Sequence, residues 1–114
     1  MGGMAVPDLD LARIRSHCDA KVPQHVRDQV RMDVTTRANS VNIFECRPPG
    51  REGLSEWSRT PVAQLRYDHD TKRWMLYWAD RNGRWHAYAD FEPNRHVQAL
   101  LDEIDQDPTG IFWG

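Results

Sequence analysis

Two groups of side chains in this 114-residue chain have the types and spacing to do chemistry. Glu45 and Arg47 stand two apart in an alternating apolar segment with Val41 and Ile43. Residues at i and i+2 of a strand share a face, so a carboxylate and a guanidinium meet there. Such a pair can act as a general acid–base beside an anion holder. It can equally be a structural ion pair closing the strand before Pro48, and a pair of this kind is weak support for either role. The second group comprises Arg66, Arg73, Tyr77, His86 and Tyr88, spread over three alternating segments. Guanidinium hydrogen bonds and ring stacking from these residues suit an anionic, planar ligand. A tyrosine ladder flanked by solvated charges gives the same pattern. His86 is the second candidate general acid–base.

Other chemistries lack their residues. The five histidines (His17, His25, His69, His86, His96) form no HxH or HExxH, and no Cys/His spacing fits zinc, so no metal site is expected. Asp33 and Glu45 invite comparison with metal-dependent nucleases, but no lysine follows Glu45 and the two carboxylates alternate to opposite faces. Ser16, Ser40, Ser55 and Ser58 have no nucleophile-elbow context. No glycine-rich phosphate loop is present, Arg81-Asn82-Gly83-Arg84 reads as a turn, and no cofactor is implied.

The elements that must position these groups follow from periodicity. Asp8 after Pro7 can cap a helix, and Leu11, Ile14, Cys18 and Val22 recur at helical spacing until Pro23, which predicts a helix over 8–21. Alternation at Val30, Met32, Val34 and again at Val41, Ile43 predicts a hairpin, 28–36 and 40–47. Pro48-Pro49-Gly50 opens a polar loop over 48–58 that holds Trp57. Three strands are predicted at 61–68, 73–79 and 84–90, joined by two-residue turns at Asp70-Thr71 and Asn82-Gly83. With those turns Ala63, Leu65, Tyr67, Trp74, Leu76, Trp78, Trp85, Ala87 and Ala89 share a core face. Gln64, Arg66, Arg73, Met75, Tyr77, His86, Tyr88 and Asp90 share the other. Pro93-Asn94 opens a second helix with the stripe Val97, Leu100, Leu101, Ile104, and the tail Gly110 to Gly114 is apolar enough to pack back on the domain. The fold class is α+β: one domain over 1–114, an antiparallel five-stranded sheet with an N-terminal and a C-terminal helix.

Charged residues make up 28% and apolar residues 39% of the chain, an ordinary globular balance. Net charge −2 argues against a protein that simply coats nucleic acid. Charge is segregated, however: residues 59–86 are mostly basic, residues 90–107 mostly acidic, and nearly all the basic residues are Arg. Two cysteines, Cys18 and Cys46, lie far apart, which predicts small buried thiols in a cytoplasmic setting. No apolar run reaches membrane-spanning length, and Met1 to Pro7 reads as neither a secretory signal nor a myristoylation site.

Several segments together resemble a bacterial family known as domain of unknown function 3024. They are Phe44-Glu45-Cys46-Arg47-Pro48, Ala63-Gln64-Leu65-Arg66-Tyr67, Trp74-Met75-Leu76-Tyr77-Trp78, Trp85-His86-Ala87-Tyr88, Asp107-Pro108 and Gly110-Ile111-Phe112-Trp113-Gly114. The resemblance implies a small cytoplasmic protein and carries no activity, cofactor or catalytic residue. The reading from the residues is a non-enzymatic binding module with a protein or nucleic-acid partner, using the Arg/Tyr/His face. The alternatives are a small enzyme built on Glu45 or His86, and an oligomerisation protein using the tail and exposed tryptophans.

Overall fold

In the computed structural model, which describes residues 5–49 and 56–113, the predicted periods become two helices and a five-stranded antiparallel sheet. Helix α1 (Asp8–Lys21) has the expected bounds and buries Ile14 and Cys18, one turn apart. Its N-cap is Pro7 rather than Asp8, and no side chain caps it. Asp8 and Asp10 sit instead in the first turn, where the helix N-terminus favours acids, and Lys21 sits in the last. Pro23 ends α1, and a 3-10 turn, Gln24–Val26, takes up the chain before the sheet, so the first strand starts at Arg31 and not at 28.

Strands β1 (Arg31–Arg37), β2 (Ser40–Arg47), β3 (Ser58–Asp68), β4 (Arg73–Ala79) and β5 (Trp85–Ala87) pair in chain order. The β2–β3 register shifts between Ile43, which faces Ala63, and Phe44, which faces Pro61. Val62 is the extra residue of this bulge. Proline has no N–H for a ladder and enters a sheet at edges and bulges. The bulge thus lets β3 run through Pro61 back to Ser58, three residues before its expected start.

The β3–β4 register is the expected one, with Leu65 opposite Leu76 and Tyr67 opposite Trp74. The β4–β5 register is not. Trp78 faces His86 and Tyr77 faces Ala87, one residue away from the pairing that a two-residue Asn82-Gly83 turn dictates. Asp80 causes the slip. Its Oδ1 accepts the N–H groups of Asn82 and Arg84, its carbonyl accepts Gly83 N–H, and its own N–H donates to Arg84 O. This makes a three-residue loop with Gly83 at φ +80°, a common alternative to the tight turn. A one-residue slip moves every side chain to the other face. Trp85 and Ala87 therefore leave the predicted core face and Tyr88 enters it, bonding Leu76 O through its N–H. Ala89, also expected on the core face, lies beyond the end of β5 and is exposed.

Both helices cover the same side of the sheet. Ile14 and Cys18 of α1, and Val97, Leu100, Leu101 and Ile104 of α2 (Val97–Gln106), pack with Val41, Ile43, Leu65, Trp74 and Leu76 in one hydrophobic cluster. Trp74 is completely buried, and its indole N–H donates to Asp10 Oδ2 at 2.8 Å, tying α1 to β4. Helix α2 starts three residues after Asn94 because Asn94 is pinned to Trp74 by two backbone hydrogen bonds. At its other end Asp107 adopts φ 42°, and its carboxylate accepts the N–H groups of Phe112 and Trp113. Residues 110–113 of the tail accordingly pack back as expected, with Phe112 buried against Tyr88 at 5.0 Å between ring centroids, and Gly114 lies outside the described residues. Burying such a side chain is worth roughly 1.5–3 kcal/mol. Among the described residues no helix is long and apolar enough to cross a membrane.

Candidate functional site

Because both helices lie on one side, the other face of the sheet has no layer on it among the described residues. Strand parity sends Arg31, Asp33, Thr35 and Arg37 of β1 there, with Asn42, Phe44 and Cys46 of β2. Arg59, Gln64, Arg66 and Asp68 of β3 join them, with Arg73, Met75 and Tyr77 of β4.

A line of side-chain hydrogen bonds crosses three strands on this face, and a guanidinium–ring contact carries it to a fourth. Asn42 Nδ2 donates to Thr35 Oγ1 at 3.5 Å, Gln64 Nε2 to Asn42 Oδ1 at 2.8 Å, and Arg66 Nε to Gln64 Oε1 at 2.6 Å. Gln64 is buried, and both ends of its amide are satisfied, as a buried polar group requires. The Arg66 guanidinium then lies over Tyr77, 3.8 Å from the ring centroid. The motif recurs at the other end of the face. Arg59 lies 4.2 Å over Phe44 and donates to Asp33 Oδ2 at 2.7 Å, and Arg31 lies 4.0 Å over Trp57. Arg31, Asp33, Cys46, Trp57 and Arg59 line a depression of ≈ 390 Å³. Arg59 and Arg66 are seven positions apart, so the two ends lie about 20 Å apart along β3.

Stacking on a ring holds a guanidinium in one plane while leaving its outer face and most of its five N–H donors exposed. Charge follows the same division. Five arginines (Arg31, Arg37, Arg59, Arg66, Arg73) and two aspartates (Asp33, Asp68) give this face a net +3, in a chain of net −2. Helix α2 on the opposite side carries Asp102, Glu103 and Asp105 and no basic residue.

Of the residues expected on this face, Arg66, Arg73 and Tyr77 are there, and His86 and Tyr88 are not. His86 stacks on Trp78 with ring centroids 4.7 Å apart, and its Nε2 bonds Asp80 Oδ2 at 2.7 Å. That bond, with the N–H groups of Arg84 and Asn82, holds the Asp80 carboxyl down at about 2. Tyr88 is buried and donates to Glu103 Oε2 at 3.0 Å. Burial first, and the Glu103 contact second, push its phenol up.

Glu45 and Arg47 pair with each other at 3.3 Å on the helix side of β2, Arg47 being largely exposed. A pair this open contributes at most about 1 kcal/mol. Glu45 borders a cavity of ≈ 310 Å³ with Lys21, Asp105 and Trp113, and His86 lies away from it on the β4–β5 hairpin. These groups do not form one acid–base site, and neither borders Arg66. Among the described residues no cluster of His, Cys, Asp and Glu could hold a metal.

Arg31, Phe44, Trp57 and Arg59 were not expected in the site. Their pairings join residues 15 to 26 positions apart through a hairpin and a bulge, and only the parity of β1 and β2 hinted at them. Both cysteines are buried free thiols. Burial, then Asp19 and Asp105, raise Cys18 to about 11, and burial followed by Asp33 raises Cys46.

No curated protein and no solved structure matches this chain. The profile of one family matches residues 4–114, almost the whole sequence. The chain with the uncovered Arg-aromatic sheet face belongs to that family, the domain of unknown function DUF3024.

Proposed function

We propose that the chain is a non-enzymatic binding module whose uncovered sheet face takes single-stranded nucleic acid. The observation that carries this reading is the threefold repeat of one unit, an arginine guanidinium held over an aromatic ring: Arg31 on Trp57, Arg59 on Phe44, Arg66 on Tyr77. A guanidinium held in this way can stack a base on its outer face and donate N–H bonds to phosphate. Being ordered already, it loses less entropy on binding. The net +3 of the face favours a polyanion, and the acidic α2 turns such a ligand away from the other side. A single strand suits the site better than a duplex, because bases must be free to stack. A cytoplasmic setting is part of this reading, supported by two thiols that stay free and buried.

Fluorescence anisotropy with a labelled oligonucleotide of about 12 nucleotides tests it. Binding at tens of micromolar or tighter is expected at low salt. Three phosphate contacts predict a slope of roughly −2 in a log–log plot of affinity against salt. Arg66→Ala should weaken binding by about 1–3 kcal/mol, whereas Arg47→Ala should leave it unchanged. No binding near 100 µM, or equal binding of single strand and duplex, contradicts the proposal.

A further inference from the structure

We propose that β1 is a dimerisation edge, on which the β1 of a second copy pairs antiparallel about Thr35. The two sheets of five strands then become one of ten. This inference is independent of the nucleic-acid reading.

The sheet has two edges, and they differ in length and in cover. At the β5 end the edge strand has three residues, and Asn94 caps the first half of β4 through two backbone hydrogen bonds to Trp74. β1 has seven residues in unbroken register with β2, and no proline, lysine or bulge. Its only blunting device is charge, on Arg31, Asp33 and Arg37, and a second copy can turn that charge to attraction. Among the described residues nothing pairs with the outer side of β1.

Charge selects the partner and the register. On the uncovered face β1 presents Arg31, Asp33, Thr35 and Arg37. Pairing about Thr35 sets each Asp33 opposite the partner's Arg37, twice by symmetry, with the two threonines facing at the centre. Pairing about Val34 sets Arg31 opposite Arg37, and pairing about Asp33 sets two aspartates together, both repulsive. Pairing about Thr36 forms no charge pair. The groups that the first register uses have capacity to spare. Asp33 accepts from Arg59 through Oδ2, and its Oδ1 has no partner among the described residues. Arg37 is exposed and takes part in none of the ion pairs among them.

The helix side of β1 agrees. Met32 and Val34 are only half-buried although they pack on the core cluster. The same register sets them against the partner's Ala38 and Thr36. Residues of equal parity share a face across an antiparallel pair, so all four helices lie on one side and the two Arg-aromatic faces join on the other.

Sedimentation equilibrium from about 10 to 500 µM tests this. The intact chain should approach dimer mass at the upper end. Asp33→Arg and Arg37→Asp should each weaken the dimer about tenfold or more by setting like charges opposite one another. The double variant D33R/R37D should restore it, and circular dichroism verifies that each variant is folded. A monomer at every concentration overturns the proposal. So does a dimer indifferent to Arg37→Asp, or a folded double variant that stays monomeric.

Discussion

Tyr88 and Asp80 show how much one polar atom decides here. The Tyr88 ring packs on Phe112 and its hydroxyl reaches Glu103 across to α2. Tyr88→Phe keeps the ring and loses the bond, and should lower stability by about 1 kcal/mol in urea unfolding. Asp80 has its carboxyl at about 2 because the folded hairpin directs His86 and two backbone N–H groups at the anion. Its folded value lies below the unfolded one, near 3.9. Its contribution is therefore complete above about pH 4 and is lost as pH falls through about 2. A carbon-detected NMR titration should give a midpoint near 2 in native protein, and a midpoint near 4 contradicts the hydrogen bonds assigned to it. The thiols act alike: with Cys18 raised to about 11 by burial, a disulfide reagent at pH 7 should leave it unmodified until denaturant is added.

At the scale of elements, legibility depended on whether local and tertiary demands agreed. Helix α1 could be read to the residue because its apolar period and Pro23 both end it at one place. The β3–β4 pairing could be read because the loop that forms is symmetric about Asp70-Thr71, as a two-residue turn would be. The β4–β5 pairing could not. Asn82-Gly83 is a strong turn signal, but the Asp80 carboxylate captures the N–H groups that a tight turn leaves to other partners. That single competition moved His86 and Tyr88 out of the candidate site. The bulge at Val62 likewise left Arg59 outside the predicted strand, since a proline inside a strand pattern reads as its beginning.

Two turns give opposite predictions. Gly83 has φ +80°, and a Cβ there would meet nothing within 4 Å, so Gly83→Ala should cost about 1 kcal/mol through backbone strain alone. Ala38 already carries φ 52°, so Ala38→Gly should raise stability, by up to about 1 kcal/mol after the added chain entropy. Paired denaturant curves check both signs, and a stabilising Gly83→Ala would contradict the three-residue loop.

The whole molecule is a sheet with two unlike sides: helices, core and acidic α2 on one, fixed guanidinium–ring pairs and net positive charge on the other. The sequence showed the segregation of charge along the chain, and it sent Arg66, Arg73 and Tyr77 to the right side. It did not reveal that arginines 31, 59 and 66 each find a ring, because two of the rings come from strands or loops distant in sequence. If the uncovered face is the binding surface, a ligand must disturb that side and spare the other. The most direct measurement is an NMR titration of the labelled chain, including arginine Nε–H resonances, with a single-stranded oligonucleotide of about 12 nucleotides. Shifts are expected at Arg31, Phe44, Arg59, Arg66 and Tyr77 and none on α2. Shifts confined to α2 and the tail, or none at about 100 µM ligand, would contradict binding on the uncovered face.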